Sequence, residues 1–330
     1  GYWMWWSGSA AVGYPELPEV NDYWPEVAQD LSLVTWSHAT NTQELLKKAL
    51  TNDTVMMLEA DVVLGKLKGG GDYLIPIMAH PPARVSDLSL EMFVEQVASF
   101  VDQKEVKKGI KLDFKELNIV RESLDILTAH RENLVFPVWL NADILPGPVD
   151  ATDTPVDGDS FLTLCVEFFS EGTISLGWTT RYTQANDSNA QYSTTQVKEM
   201  VDTIDRNHVT QPITIPVRAA FIERSIDSLT WLVNSIPDST LTVWSSATDS
   251  VNIPSLVWLQ EVIGADAVYY DLPPEQLQEF NNLKPRSDDQ NAASHNSAPV
   301  IKIWPEGTVL WSSITTLLAS ALVYLIYGFE

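Results

Sequence analysis

The sequence predicts an α/β chain folded as a TIM-type (β/α)8 barrel with a β-hairpin inserted after the second strand. Three observations carry that expectation. Short apolar runs alternate with helix-patterned segments over about 250 residues, the usual size of such a barrel. Most runs are apolar at successive positions, as strands buried on both faces of a parallel sheet are. One link between two runs holds a glycine turn and no helical pattern, which suits an antiparallel return and not a parallel crossover.

Residues 1–30 read as a lead-in. Gly1 to Ala11 is an apolar run followed by small residues, the form of the end of a signal peptide. Residues 12–30 carry Glu16, Glu19, Asp22, Glu26 and Asp30 with no base, the pattern of a loose segment. The first strand is expected over 31–36, a helix over 42–50 and the second strand over 55–62. The link that follows contains Gly69-Gly70-Gly71-Asp72, so 74–80 folds back as the hairpin arm. A helix over 88–101 precedes the strand at 109–114, and a helix over 117–130 precedes the strand at 134–140. An apolar helix-like run at 161–166 holds the single Cys165, which reads as a core residue. The remaining strands are expected over 173–178, 213–218, 241–244 and 265–271, separated by helices over 194–206, 226–235 and 253–263. Nine runs less the hairpin arm leave eight barrel strands within residues 31–283.

Two segments follow the barrel. Residues 284–308 are polar and rich in chain breakers, a stalk or spacer. Val309 to Phe329 carries no charge over 21 residues, long enough to span a bilayer at ~1.5 Å per residue. Small residues (Asn296-Ser297-Ala298), a spacer and a terminal apolar tail are the parts of a glycolipid-anchor signal. A membrane tail anchor and a last helix packed on the domain are the other readings. Sequons at Asn52-Asp53-Thr54 and Asn186-Asp187-Ser188 agree with an exported chain. The expected location is the extracellular face of the plasma membrane.

Composition excludes several functions. With 44 acidic and 20 basic side chains the net charge is −24, which argues against nucleic acid as a partner, since phosphate backbones are bound by clustered cations. A single Cys rules out an intrachain disulfide and a Cys-based zinc site.

Chemistry in such barrels collects at the C-terminal strand ends. Glu59 and Asp61 are two apart on one strand and point the same way. Asp113 lies on the next strand between Leu112 and Phe114. Three carboxylates at one mouth repel unless a hard cation such as Mg²⁺ or Ca²⁺ joins them. Lys115, two residues beyond Asp113, could neutralise them instead, as a metal-free cluster. His38 and His80 come from adjacent elements that reach the same mouth, and such a pair can supply a general acid and a general base. His130 and His208 end helices, and His295 lies in the stalk. Trp36, Trp139, Trp178 and Trp244 fall at strand ends, where they either wall a pocket or pack beneath the loops.

The series His38…Asn41-Thr42, Glu59-Ala60-Asp61-Val62, a glycine turn, His80 and Leu112-Asp113-Phe114-Lys115 resembles the glycerophosphodiester phosphodiesterase superfamily. Val243-Trp244-Ser245 and the stretch from Gly264 to Pro273 also match its style. Within that superfamily, Trp36 to Asn41, Leu58 to Val62 and Ser175 to Thr179 are similar to the menorin family, exported or surface-attached proteins associated with cell–cell guidance and nerve-cell branching. The resemblance implies that Glu59, Asp61 and Asp113 hold Mg²⁺ or Ca²⁺ and that His38 and His80 exchange protons with a phosphodiester. It places Lys115 and Asn41 at phosphate or substrate.

Three departures bear on substrate more than on fold. Ala39 stands where the phosphodiesterases usually have Arg, Pro81 where they have Asp, and Asp113 where they have Glu. Arg218, at the mouth end of its strand, is placed to supply the missing cation. Two functions follow as expectations. One is hydrolysis of a phosphodiester, as a small molecule or a lipid head group. The other is a non-catalytic surface ligand that keeps the barrel and binds a receptor or adhesion protein.

Overall fold

The computed structural model describes residues 17–183 and 190–285. The described chain begins beneath the barrel. The helix α1 (Val20–Tyr23) and 3-10 turns at Pro25–Val27 and Leu31–Leu33 carry Val20, Trp24, Val27, Leu31 and Val34 against Met57, Trp139 and Tyr269, all buried. From residue 17 on, the lead-in is therefore the barrel floor and not a loose segment. Its apolar residues recur at spacings of four and three, one helical face, behind a screen of acids. The Asp30 carboxylate accepts from the Ser32 N–H at 3.2 Å and closes the second turn. The strand expected over 31–36 is thus reduced to β1 (Trp36–Ser37).

After α2 (Gln43–Thr51), β2 (Met57–Leu67) outruns the expected 55–62 because its outer half leaves the barrel as a hairpin arm. β3 (Ile75–Met78) returns antiparallel, with Val62 opposite Met78 and Gly65 opposite Ile75, as the glycine turn predicts. Gly69 and Gly71 adopt φ of 77° and 86°, a region that a side chain would strain. A Cβ on Gly65 would lie 2.4 Å from Ile77 Cδ1 and 2.5 Å from the Arg84 carbonyl, so the arm passes β4 (Val85–Ser86) only as glycine.

The chain continues through α3 (Leu90–Lys104), β5 (Gly109–Phe114), α4 (Val120–Ala129), β6 (Val138–Pro146), α5 (Gly158–Phe168) and β7 (Thr173–Thr179). It ends with α6 (Thr194–Arg206), β8 (Ile213–Arg218), α7 (Ile226–Ser235), β9 (Thr240–Trp244), α8 (Ile253–Ile263), β10 (Val268–Asp271) and α9 (Pro274–Leu283). Ser89, Asp157 and Asn252 cap their helices by accepting a backbone N–H, and Ser193 with Gln196 forms a reciprocal capping box. Cys165 is fully buried on α5, and burial pushes its thiol pKa up, which keeps it an inert core residue.

Eight strands lie side by side in the order β1-β2-β5-β6-β7-β8-β9-β10, all parallel, as a nearly closed barrel ringed by helices. Among the described residues no backbone ladder joins β10 to β1. Side chains span that seam: His38 Nδ1 lies 2.8 Å from Asp271 Oδ2, and Trp36 packs edge-on against Tyr269. Strand alternation sorts the rest. Leu58, Ala60 and Val62 of β2 and Ile110, Leu112 and Phe114 of β5 join the core beneath the helices. Glu59, Asp61, Lys111 and Asp113 turn into the lumen.

The Gly1 to Ala11 segment, the Asn186 sequon, the stalk from residue 286 and the apolar tail at 309–330 lie outside the described residues. The Asn52 sequon is exposed, and its Oδ1 accepts from the Thr54 N–H and hydroxyl. No described helix is long and apolar enough to cross a membrane.

Candidate active site

The mouth of the barrel is a pocket of about 620 Å³ lined by His38, Glu59, Asp61, His80, Asp113, Lys115 and Arg218 together. Register brings the acids there. Asp61 on β2 is paired with Asp113 on β5, and Asp113 with Asn141 on β6. One oxygen from each of Glu59, Asp61 and Asp113 falls within 4.8 Å of the others.

Each carboxylate is held from behind. Glu59 accepts the Ala39 N–H at 2.7 Å, an approach made possible by the left-handed backbone of Ala39 (φ 51°). Asn41 stands behind Asp61: its amide donates to Asp61 Oδ2 at 2.7 Å, and its Oδ1 accepts the Asp61 N–H at 2.9 Å. The Asn141 amide donates to Asp113 at 2.8 Å and itself accepts from the Ser175 hydroxyl at 2.6 Å. Lys115 Nζ sits 3.0 Å from Asp61 and 2.5 Å from Asp113.

The charges are strongly coupled. Burial opposes the charged form of His38, but the hydrogen bond to Asp271 and the charges of Glu59 and Asp271 outweigh it and lift its pKa to about 9. Burial lifts Glu59 to about 7, with Asp61 and Asp113 adding to the rise against the pull of His38 and Lys111. Burial would raise Asp113 as well, yet Lys115 and Lys111 hold it below the usual carboxylate range. Burial works against the charge on Lys115, but Asp113, Asp61 and Asp143 keep its pKa well above the usual lysine value.

Three further groups at the mouth have no role assigned from their place at the strand ends. Asp143 on β6 faces the pocket, and burial together with Asp113 raises its pKa to about 7. Gly177 makes room for it, since a Cβ there would lie 2.3 Å from Asp143 Oδ1. Lys111 is 5% exposed, with Nζ 6.0 Å from the Trp36 ring centre. Among the described residues that ammonium has no carboxylate within 4.0 Å. Asp271 closes the seam onto His38. The period-two rule that pairs Asp113 with Lys115 also reaches back to Lys111. Only the fold joins Asp271 to a histidine 233 residues away.

Five carboxyl groups, Glu59, Asp61, Asp113, Asp143 and Asp271, face Lys111, Lys115 and His38, so acids outnumber bases here. Burial together with that excess raises the pKa values of Glu59 and Asp143 to about 7. Arg218 does not offset the excess, because Asp249 takes its Nε and Nη2 at 2.7 Å each. Its guanidinium still lines the pocket between the Tyr182 and Trp244 rings, at 5.4 and 5.1 Å from their centres. His80 is exposed, with Nδ1 2.8 Å from the Pro81 carbonyl. Of the four tryptophans weighed as pocket walls, Trp244 lines the mouth. Trp139 is buried in the floor and Trp178 in the outer core, and Trp36 packs on Trp139 at the seam.

Known proteins resemble the chain at two levels. The model of the Menorin N-terminal domain matches residues 30–277. Protein FAM151B of Homo sapiens is 38% identical over 253 residues, 77% of this chain and 87% of that protein. Among solved structures, a phospho-2-dehydro-3-deoxyheptonate aldolase from Thermotoga maritima overlays with a TM-score of 0.41 at 12% identity, covering 82% of this chain and 78% of its own. A mandelate racemase/muconate lactonizing enzyme from Roseiflexus sp. does so with a TM-score of 0.42 at 11% identity, covering 80% and 60%. Neither of these two likenesses bears on the chemistry.

Proposed function

The chain belongs to the menorin family, and from that premise we propose that it is a cell-surface protein whose barrel mouth hydrolyses a glycerophosphodiester-like phosphodiester with the help of a divalent cation. The observation that carries this reading is the convergence of His38 and His80 with Glu59, Asp61 and Asp113 in one pocket. Three clustered carboxylate oxygens suit Mg²⁺ or Ca²⁺, and a cation there would offset the burial that disfavours the Glu59 charge. Held by those three residues, the ion would polarise the phosphoryl oxygens.

The two histidines are set up for opposite proton roles. His38 Nδ1 faces the Asp271 carboxylate, which favours the protonated ring, so Nε2 can give a proton to the leaving oxygen. His80 Nδ1 faces a carbonyl, which only accepts, so that nitrogen carries the hydrogen. In the neutral ring Nε2 then keeps a lone pair for the proton of the attacking hydroxyl. Lys111 and Lys115 offer positive charge to the phosphate, Arg218 lines the pocket as a donor already paired with Asp249, and Asn41 orients Asp61.

Calorimetric titration with Mg²⁺ and Ca²⁺, followed by hydrolysis of glycerophosphocholine, tests the reading. Metal-dependent turnover should fall by roughly 100-fold or more in His38→Gln and in His80→Gln, the usual range for losing an acid or base. A chain that binds neither ion, or turnover indifferent to both substitutions, would defeat it.

One observation favours the non-catalytic alternative. Lys115 already lies between Asp61 and Asp113 and cancels part of the charge that a cation would meet. In that reading the barrel is a ligand for a cell-surface receptor or adhesion protein in cell–cell or neuronal-branching guidance. His80→Ala would then leave cell binding intact, and no phosphodiester would be cleaved. Attachment to the outer membrane face falls to residues 309–330, as a lipid-anchor signal or a spanning segment. Release of the protein from cells by a phosphatidylinositol-specific phospholipase supports the lipid form, and retention overturns it.

A further inference from the structure

A second cavity, of about 600 Å³, opens at the seam between β10 and β1. Its origin is in the topology. β1 has two residues and no backbone ladder to β10, so side chains alone wall the barrel there. Trp36, Val55, Trp244, Leu272, Pro273 and Leu277 make most of the cavity's lining apolar, and Asn52 with neighbouring threonines and serines adds uncharged polar groups. Its charged lining groups are His38 and Asp271, and these are spent on one another at 2.8 Å. In a chain of net charge −24, a cavity this size with no unpaired charge contrasts sharply with the mouth beside it. The two cavities share His38 and Trp244. A charged pocket and an apolar groove that meet at one histidine suit a ligand with both kinds of surface.

We propose that mouth and groove form one binding site for an amphipathic phosphodiester, with the phosphate at the mouth and a single hydrocarbon chain in the seam groove. This rests on the phosphodiester reading for the head group alone; the groove is argued from its own lining. Both volumes lie within the range of ordinary ligand pockets. Each methylene transferred from water to an apolar site is worth about 0.8 kcal/mol, roughly fourfold in affinity, so a few seated carbons dominate the preference.

The test uses the whole chain and two probes with the same head group: dodecylphosphocholine below its micelle concentration, and glycerophosphocholine. Binding is measured by calorimetry in chelator, and hydrolysis separately with Mg²⁺ or Ca²⁺. The dodecyl probe should bind at least tenfold more tightly. Ala247→Trp places a large ring at the exposed edge of the groove, and Leu277→Glu places a charge inside it. Both should abolish the preference while glycerophosphocholine binds as before.

Equal affinity of the wild type for the two probes overturns the proposal. So does an Ala247→Trp variant that folds normally and keeps the preference, or weakens both probes alike. Dodecyl maltoside binding as tightly as dodecylphosphocholine overturns the joint site, since no phosphate would be needed. If the dodecyl probe binds through the groove and neither probe is cleaved with either metal, the hydrolase reading fails and the amphipathic site stands.

Discussion

Asp271→Asn tests the proton that the proposed chemistry needs. Asp271 is 7% exposed in its side chain and holds His38 Nδ1 at 2.8 Å, and this contact, together with the charge of Glu59, lifts the imidazole pKa from 6.5 to about 9. Asparagine keeps the shape and removes the charge, so the ring's pKa should fall from about 9 toward 6.5, with Glu59 still opposing the fall. At 1.36 kcal/mol per pH unit the full gap corresponds to about 3 kcal/mol. The His38 side chain is 56% exposed, however, and water screens the pair, so about 1 kcal/mol is the expected share of stability. Its sign follows from the folded chain holding the proton more tightly than the unfolded one. The contribution is complete below pH 6.5 and disappears as pH rises through 9. Urea unfolding in chelator, at intervals from pH 6 to 9.5, should show the wild type losing about 1 kcal/mol more than Asp271→Asn, most clearly above pH 7.5, where Glu59 no longer contributes a slope. Imidazole NMR titration reads the same proton directly. Parallel curves for the two proteins, or a wild-type His38 that titrates near 6.5, would refute the reasoning.

Metal-free protein should also lose stability as pH rises from about 4.5 through about 7, because Glu59 binds its proton more tightly folded than unfolded. Millimolar Mg²⁺ or Ca²⁺ should restore the melting temperature above pH 7 and do little at pH 5; equal shifts at both would argue against carboxylate ligation. Arg218→Gln should cost about 3 kcal/mol in urea unfolding, because Asp249, with a side chain 1% exposed, would keep a buried charge without its partner. Adding Asp249→Asn should recover part of that loss, and a single substitution that costs nothing would show the pair to be decorative.

The parts of the fold legible in the sequence are those set by local rules. The glycine turn specified the hairpin because three successive glycines disfavour both strand and helix and readily take the positive φ that Gly69 and Gly71 adopt. Glu59 with Asp61, and Asp113 with Lys115, could be assigned to shared faces because strand side chains alternate with a period of two. The same rule reached Lys111, but a lysine level with Glu59 and one layer below Asp61 and Asp113 has no local mark that separates a lumen ammonium from a solvated one. The first strand was read too long. Leu31 and Val34 look like strand residues until the floor formed by Trp139 and Tyr269 is present to receive them.

By itself the sequence determined the strand–helix alternation, the hairpin and the presence of His38, His80, Glu59, Asp61 and Asp113 at the strand ends, since each follows from residue spacing along a short stretch of chain. Tertiary structure alone decided which charges meet. The Asp271 carboxylate on His38, the Ala39 N–H on Glu59, Lys115 between two aspartates and the apolar groove at the open seam all arise where distant segments close the barrel. The physical reason is range. Backbone alternation acts within a few residues, whereas a pKa or a cavity is set by every charge and surface that burial brings within a few ångströms.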